Sequence, residues 1–435
     1  MSRSFQLWDQ TVDLGPHRFF SNDPRVNRLW LEVAQRDYRM VDRLTRIYYG
    51  GRFFNYPLDA ANALRNLGLF ESTRCLMSYF KEKVSSARQT DTFESWVVGR
   101  FGRRLFEIFF KTYSEKLWGI RCDELDSDFA AQRIKKLSLG QAVRSALGLN
   151  GGSHRTLVDR FAYPTQGTGM IYDRMADLIE VVGSIHLESP VRRVLHRDKR
   201  VTGLELMSGR QQSYDQVIST MPFTLLVKGL NEAPEEVQKA VNSLTFRNTV
   251  LVYLNIDGID LFPDQWVYVH AADLKTGRVT NFRNWIPELY GDAPTSILAL
   301  EYWCYDQNAI WKESDATLIE RASSEIRATG LIGKQIILDG HVVRVPRSYP
   351  VYARNYKDHL SVATEYLQSF SGLTPIGRYG AFKYNNQDHS ILMGLLAAES
   401  LIDRRLIDLW SINTDYETYQ ESSTITDTGL ETALS

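Results

Sequence analysis

The sequence has little of several features that would identify a function directly. Its 435 residues include three cysteines, Cys75, Cys122 and Cys304, which are widely spaced and form no CxxC pair. Such cysteines are typical of buried thiols in a reducing compartment, and they predict neither a disulfide framework nor a zinc site. No stretch reaches about 18 apolar residues, so no membrane span is predicted. The first residues lack the basic and apolar regions of a signal peptide, so we expect a cytoplasmic location.

Neither sign of charge is in excess. Lys and Arg number 51 against 52 Asp and Glu, which gives a formal net charge of -1. This balance excludes a broadly basic nucleic-acid-binding protein and a polyanionic chain. With 43% hydrophobic and 24% charged residues the composition is globular, and the length is enough for two or three domains.

The motifs of common nucleotide-dependent and hydrolytic enzymes are absent as well. The sequence contains no GxGxxG, no P-loop, no GxSxG elbow and no HExxH. Its single GxG, Gly167-Thr168-Gly169, precedes a predicted helix at residues 170–182, whose first N–H groups are suited to an anion. A partial glycine motif is weak evidence. Two interpretations therefore remain open, a simple helix start and a phosphate contact.

Hydrophobic periodicity divides the chain into helical and strand-rich parts. Residues 24–150 are predicted to be mostly helical, and residues 245–305 are predicted to be rich in strands. A strand at residues 376–379 is predicted to lead into a strongly apolar helix. Residues 413–435 are rich in Thr, Ser and Glu and poor in large apolar residues, so we expect a disordered tail.

A run of polar residues stands at the start of that apolar helix. From Asn385 to Ser390 six consecutive residues are polar. The N–H groups and the positive dipole end of a helix N-terminus favour an anion or a polarised carbonyl. Because one polar residue is enough for N-capping, the long run favours a helix start that faces a ligand, with simple capping as the alternative.

Other candidate residues are ambiguous when each is considered alone. His17 lies in a loop between glycine-proline and paired phenylalanines. Trp118, at a predicted helix end, is typical of a packing anchor and less often of a stacking surface. Single arginines on a nearly neutral surface, such as Arg133 and Arg278, are usually solvated.

Four segments occur in the order of similar segments in UDP-galactopyranose mutases. Residues 15–23 resemble the histidine loop of those enzymes, and residues 54–58 resemble their substrate-side FNLP stretch. Residues 109–119 resemble a helical segment that ends in Trp-Gly, and residues 377–391 resemble the segment that closes over the flavin. The looser relatives are FAD-dependent amine oxidases and protoporphyrinogen oxidases, of which the strand-turn-strand pattern at residues 191–222 is typical.

Together with the periodicity, the resemblance implies an α/β fold with a split, Rossmann-like FAD-binding domain. The expected layout is an FAD-binding domain at residues 1–23, 155–225 and 346–412, a helical insertion at 24–154, a strand-rich substrate domain at 226–345 and a disordered tail at 413–435. We expect this FAD-binding domain to be N-terminally truncated, since the first strand and the GxGxxG loop of the family are absent. Backbone N–H groups of that loop approach the pyrophosphate, so we expect this chain to bind FAD weakly.

The resemblance also implies a set of site residues, with FAD as the cofactor. The residues expected to contact FAD are His17, Val191, Gly377, Arg378, Asn386, Gln387, Asp388, His389 and Ser390. The residues expected to bind a small-molecule substrate are Asn55, Trp118, Arg133, Arg278, Tyr349 and Tyr384. Among them, the two arginines correspond to diphosphate-binding residues, and the two tyrosines supply hydroxyl groups near the diphosphate. We expect His17 and residues 386–390 to converge on one pocket, with no metal ion and no nucleic-acid partner.

Three functions remain open. The first is an FAD-dependent oxidoreductase, in which a hydride passes from an unidentified substrate to the flavin. The second is an isomerase similar to UDP-galactopyranose mutase, which acts on a nucleotide sugar with reduced FAD. The third is a non-catalytic flavoprotein remnant. The match at the two diphosphate arginines is partial, and this favours the oxidoreductase.

Overall fold

The structure, a computed structural model, describes residues 2–58, 60–84, 91–129, 160–231, 233–413 and 425–430. The strands are β1 (Ser4–Leu7), β2 (Gln10–Asp13), β3 (Tyr38–Asp42), β4 (Thr45–Tyr49), β5 (Arg52–Asn55), β6 (Arg160–Pro164), β7 (Val191–Arg197), β8 (Arg200–Leu206), β9 (Gln211–Ser213), β10 (Val217–Ser219), β11 (Phe246–Asp257), β12 (Trp266–Val269), β13 (Arg278–Asn281), β14 (Thr295–Cys304), β15 (Ile337–Pro350), β16 (Leu373–Pro375), β17 (Ile425–Thr426) and β18 (Gly429–Leu430). The α-helices are α1 (Pro24–Ala34), α2 (Ala60–Val84), α3 (Phe93–Phe101), α4 (Arg103–Phe106), α5 (Thr112–Trp118), α6 (Gly169–Glu180), α7 (Phe223–Lys228), α8 (Glu235–Ser243), α9 (Ala309–Lys312), α10 (Asp315–Ala328), α11 (Tyr356–Gln368), α12 (Gly377–Gly380) and α13 (Gln387–Ile402). The α/β fold class predicted from the sequence is confirmed. Within the described ranges, no helix is long and apolar enough to cross a membrane.

The chain divides into two compact units. The first comprises Met1–Arg174, Arg247–Ser348 and Gln420–Ser435, and the second comprises Met175–Phe246 and Tyr349–Tyr419. Residues 11–14 and residues 376–379, which the expected layout places in one FAD-binding domain, fall in the first and the second unit respectively. The functional division into FAD-binding, helical and strand-rich parts stays a prediction.

A seven-stranded mixed sheet forms the centre of the first unit. Its strand order is β15-β11-β14-β13-β12-β4-β5, and β4 pairs with β12 in parallel. Alternate residues of β11, such as Val250, Val252 and Leu254, are fully buried in one apolar cluster with Leu318 and Ile326 of α10. The period of two along the strand and the helical spacing of α10 therefore bury one face of the sheet under this helix.

The predicted helical stretch at residues 24–150 contains three strands that the periodicity did not indicate. It is wrong at residues 38–55, where β3, β4 and β5 lie. β4 and β5 form a hairpin in which Tyr49 pairs with Arg52 across Gly50 and Gly51. Both glycines have positive φ, 57° and 74°, which is the conformation that a two-residue hairpin turn requires.

The second unit contains two small sheets. The strands β7, β8 and β9 form an antiparallel sheet, and β10 pairs in parallel with β16. The strand predicted at residues 376–379 is wrong: β16 ends at Pro375, and residues 377–380 form the single helical turn α12. Gly377 has φ 79°, a left-handed conformation in which an extended strand cannot continue.

A short hairpin lies within the tail that the composition predicted to be disordered. At residues 425–430, β17 and β18 pair, and the Ile425 side chain is buried. The Tyr38 hydroxyl donates a hydrogen bond to the Thr426 carbonyl oxygen over 2.7 Å. A single buried isoleucine and this distant hydrogen bond order the hairpin, and neither is visible in the local composition.

Candidate functional site

The loop that carries His17 is anchored by a buried carboxyl group at the end of β2. The Asp13 carboxylate accepts hydrogen bonds from the Tyr163 hydroxyl at 2.7 Å, from the Thr168 N–H at 3.1 Å and from the Ser4 hydroxyl. Burial raises the pKa of Asp13 to about 7, although the three donors oppose that rise. His17 itself is half-buried, with Nε2 3.0 Å from the Leu14 carbonyl oxygen.

In the Gly167–Gly169 turn, the side chains of Asp13 and Ser4 bind the backbone N–H groups. The Thr168 N–H donates to Asp13, and the Gly169 N–H donates to the Ser4 hydroxyl over 2.8 Å. A Cβ atom at Gly167 would stand 2.3 Å from Ser4 Oγ. Of the two interpretations of this GxG, the structure supports the helix start of α6, since the chain fills the place where a phosphate would bind.

Arg278 forms a bidentate ion pair with Glu301. The two residues are directly opposite in the β13–β14 register, with Nε to Oε1 and Nη2 to Oε2 distances of 2.7 Å each. Their side chains are 17% and 2% exposed, so the pair is almost removed from water. The guanidinium charge is thereby balanced by a fixed carboxylate.

The histidine loop lies close to this ion pair. A Cβ atom built at Gly15 would be 3.6 Å from Glu301 Oε1. The Tyr253 hydroxyl, on β11, donates to the Asp13 carbonyl oxygen over 2.7 Å. The first unit therefore brings the loop of His17 and the predicted substrate residue Arg278 into one neighbourhood.

Trp118 is a packing residue in this structure. Its ring is fully buried and meets Phe129 edge-on, with a centroid separation of 4.7 Å. The carbonyl groups at this end of α5 are bound by Arg247, which donates to the Leu117 and Lys116 oxygens. The part that Trp118 takes in substrate binding stays a prediction.

The other predicted residues of the first unit are peripheral or not described. Asn55 is exposed at the end of β5, where its N–H donates to the Asn62 side chain. Arg133 lies outside the described residues. A surface groove of about 500 Å³ lies beside the β1–β2 hairpin, but the residues that line it include none of those predicted for the site.

In the second unit, three of the predicted residues form a stacked cluster. The rings of Tyr349 and Tyr384 stack with centroids 5.7 Å apart. The Arg378 guanidinium carbon lies 4.5 Å from the centroid of each ring, and Nη1 donates to the Asn385 carbonyl oxygen over 2.9 Å. Two predicted substrate residues and one predicted cofactor residue are thus in direct contact.

The start of α13 is capped by its own side chains. Asn386 is the N-cap residue, and it forms a capping box with His389, whose Nδ1 lies 3.3 Å from the Asn386 nitrogen. Asp388 and His389 are buried, while Gln387 and Ser390 are partly exposed. The capping alternative is therefore present, and a ligand at this helix start stays a prediction. So does the convergence of residues 386–390 with His17.

Two residues of the site escaped the sequence reasoning. Glu301 is the one acidic residue in the apolar strand β14, and a charge in a buried strand is a signal that it has a partner. Arg247 is also buried in a strand, β11, and its guanidinium lies 4.3 Å from the centre of the Tyr305 ring. Neither residue belongs to a recognisable motif, and the partner of each is distant in sequence.

Comparison with known proteins identifies the family. Residues 1–335 match the family of flavin-containing amine oxidoreductases. The chain belongs to this family. A flavin is accordingly its cofactor, and the protein is a flavin-dependent enzyme.

Solved structures of similar fold include both oxidases and a mutase. A reduced UDP-galactopyranose mutase has a TM-score of 0.83 at 21% sequence identity, covering 95% of this chain and 89% of its own. An Exiguobacterium protein described as a protoporphyrinogen oxidase has a TM-score of 0.68 at 16% identity, with coverages of 91% and 89%. A putrescine oxidase variant has a TM-score of 0.58 at 12% identity, with coverages of 93% and 91%. These similarities concern the fold of this amine oxidoreductase family member and leave its substrate open.

In the second unit, the predicted FAD-contacting residues Gly377 and Arg378 lie just beyond a parallel strand, and their contact with FAD stays a prediction. In open α/β sheets, cofactors bind outside the carboxyl ends of parallel strands. Gly377 and Arg378 follow the carboxyl end of β16 after one intervening residue, Ile376, and α13 packs on α12. A Cβ atom at Gly380 would be 2.6 Å from the Ser219 carbonyl oxygen, so glycine is required where α12 meets β10. Val191, another predicted cofactor residue of the second unit, lies apart from these residues in the sheet of β7, β8 and β9.

Proposed function

We propose that the protein is an FAD-dependent oxidoreductase that removes a hydride from a small-molecule substrate. When bound, FAD supplies the hydride acceptor. The residues of this chain bind and orient the two reactants, and Gly377, Arg378 and residues 386–390 are the ones that would hold FAD. The reaction class goes beyond the family assignment, which leaves the substrate and the reaction open.

The observation that carries this proposal is the state of Arg278. An isomerase of nucleotide sugars needs cationic side chains that hold a diphosphate leaving group. The Nε and Nη2 groups of Arg278 donate to the two oxygens of the Glu301 carboxylate, which is 2% exposed. The carboxylate balances the guanidinium charge, and a diphosphate at Arg278 would be repelled by this second anion. A substrate without a diphosphate meets no such repulsion.

The second candidate is an isomerase of nucleotide sugars, and the Tyr349–Tyr384–Arg378 cluster favours it. Two tyrosines and an arginine in contact supply hydroxyl and guanidinium donors of the kind that bind a diphosphate. In this alternative the anion would contact the second unit and not Arg278. The cytoplasmic location predicted from the sequence stays a prediction in both cases.

A comparison of two assays separates the candidates. The FAD-loaded protein is mixed anaerobically with putrescine, other amines and porphyrinogens, and the visible absorbance of oxidised flavin is recorded. Separately, the chemically reduced protein is incubated with UDP-galactopyranose and the sugar products are analysed. We expect at least one compound to bleach the flavin, with no conversion of the nucleotide sugar. Conversion of the nucleotide sugar without bleaching by any compound would instead establish the isomerase.

A further inference from the structure

The helix α2 has apolar side chains on two opposite faces. It is kinked at Gly68, and its second part runs from Leu69 to Val84. On one face Cys75 is buried in an apolar cluster with Phe54 and Phe109. On the other face five large apolar side chains have exposed fractions between 63% and 87%, namely Leu69, Phe70, Met77, Phe80 and Val84.

These five residues lie on one face of the helix together with the exposed Thr73, and we call this stripe the outer face of α2. At about 100° per residue they fall within an arc of about 100° on the helix surface, opposite Cys75. A surface helix of a globular protein normally has polar residues on the side away from its core. An exposed and mostly apolar stripe of this kind marks an interaction surface.

The charges beside the outer face have one sign. At about 100° per residue, Arg74 and Lys81 border one edge of the stripe and Lys83 borders the other, and all three are exposed. The acidic residues of this part of the helix, Glu71 and Glu82, lie on the side away from the stripe and are half-buried. Glu71 is further neutralised by ion pairs with Arg74 and Arg104.

We propose that the outer face of α2 seats the protein on an anionic lipid surface. An apolar stripe bordered by lysine and arginine is the pattern of a helix that lies in the plane of a membrane interface. Anionic headgroups complement the basic borders, and the apolar side chains enter the acyl boundary. A second copy of the chain fits less well, because antiparallel pairing about Met77 would place Lys81 of one copy beside Arg74 of the other.

The experiment measures co-sedimentation of the full-length protein with phospholipid vesicles. We expect binding to vesicles of phosphatidylcholine mixed with phosphatidylglycerol, and little binding to phosphatidylcholine alone. The variant F70S/M77S should bind about a hundredfold more weakly, since it lacks two apolar side chains that enter the lipid when the wild type binds. The variant K81E/K83E should bind at least about tenfold more weakly, and the difference should shrink in high salt.

A matched control is available on α6. Val181 and Val182, just after this helix, are 80% and 89% exposed, but their exposed charged neighbours Asp177 and Glu180 are acidic. The variant V181S/V182S should therefore bind like the wild type. Circular dichroism melts of each variant show whether the fold is retained.

A site-specific label keeps the proposal testable even if the serine variant fails to fold. All three native cysteines are buried, so M77C provides an accessible thiol for a nitrobenzoxadiazole label. Its fluorescence should shift to the blue with anionic vesicles, and the same label on V182C should not shift. Absence of vesicle binding by the wild type overturns the proposal. A second result would also overturn it: the wild type forms a dimer in sedimentation, F70S/M77S dissociates that dimer, and neither protein binds vesicles. The outer face would then be a contact surface for a second copy of the chain.

Discussion

Replacing Arg278 by Met should lower the free energy of unfolding by about 3–5 kcal/mol, because it leaves a buried carboxylate without its partner. Glu301 is 2% exposed and receives two hydrogen bonds from the guanidinium. Chemical denaturation of wild type and R278M at neutral pH measures the difference. A loss below about 1 kcal/mol would show that the ion pair is not formed in solution.

The double variant R278M/E301Q serves as the control for this prediction. Removing both charges leaves no isolated ion, and similar replacements of buried ion pairs are often nearly neutral. We therefore expect the double variant to recover most of the stability that R278M loses. Equal losses in the single and the double variant would instead assign the effect to packing.

The buried carboxyl group of Asp13 should make stability depend on pH. Its pKa is raised from 3.8 to about 7 by burial. Between about pH 4 and pH 7 the folded state keeps the Asp13 proton, which the unfolded state has lost. The stabilising contribution of this group is therefore fully present below about pH 4 and is lost as the pH rises through 7. The folded protein should therefore lose about 4 kcal/mol from this group across that interval.

The variant Asp13→Asn isolates this contribution from the other titrating groups. The amide is neutral at every pH, and its oxygen still accepts hydrogen bonds. Denaturation of wild type and D13N at pH 5 and at pH 8 should show a difference in unfolding free energy that shifts in favour of D13N at the higher pH. A difference that stays constant with pH would mean that Asp13 is ionised throughout and that its three donors outweigh burial.

The sequence predicted those elements of the fold whose signals are local. The strand-rich stretch predicted at residues 245–305 contains β11, β12, β13 and β14, and the helix predicted at residues 170–182 corresponds to α6. The Gly50-Gly51 hairpin also had a local signal, which the helical interpretation of residues 24–150 passed over. The parallel pairing of β4 with β12 had none, because the register links residues more than two hundred positions apart.

The candidate site was predictable where motifs mark it, and not where geometry alone defines it. The segment at residues 377–391 contains both Arg378, predicted to contact the cofactor, and Tyr384, predicted to bind the substrate, and the two are in contact. Tyr349 joins them through a stacking contact that no spacing indicates. The sequence named Arg278 as a diphosphate ligand, but its partner Glu301 follows from the β13–β14 register, which single-sequence patterns do not fix.

The state of Arg278 is tested most directly by calorimetric titration of the FAD-loaded protein with UDP. Since the Glu301 carboxylate balances the guanidinium charge and repels a second anion, the account predicts no saturable heat of UDP binding that depends on Arg278. The variant E301Q, which leaves Arg278 without its carboxylate, should gain measurable affinity for the nucleotide. Saturable binding of UDP to the wild type that is lost in R278M/E301Q, the variant expected to keep its stability, would contradict the account, because it would show that Arg278 is available to hold a diphosphate.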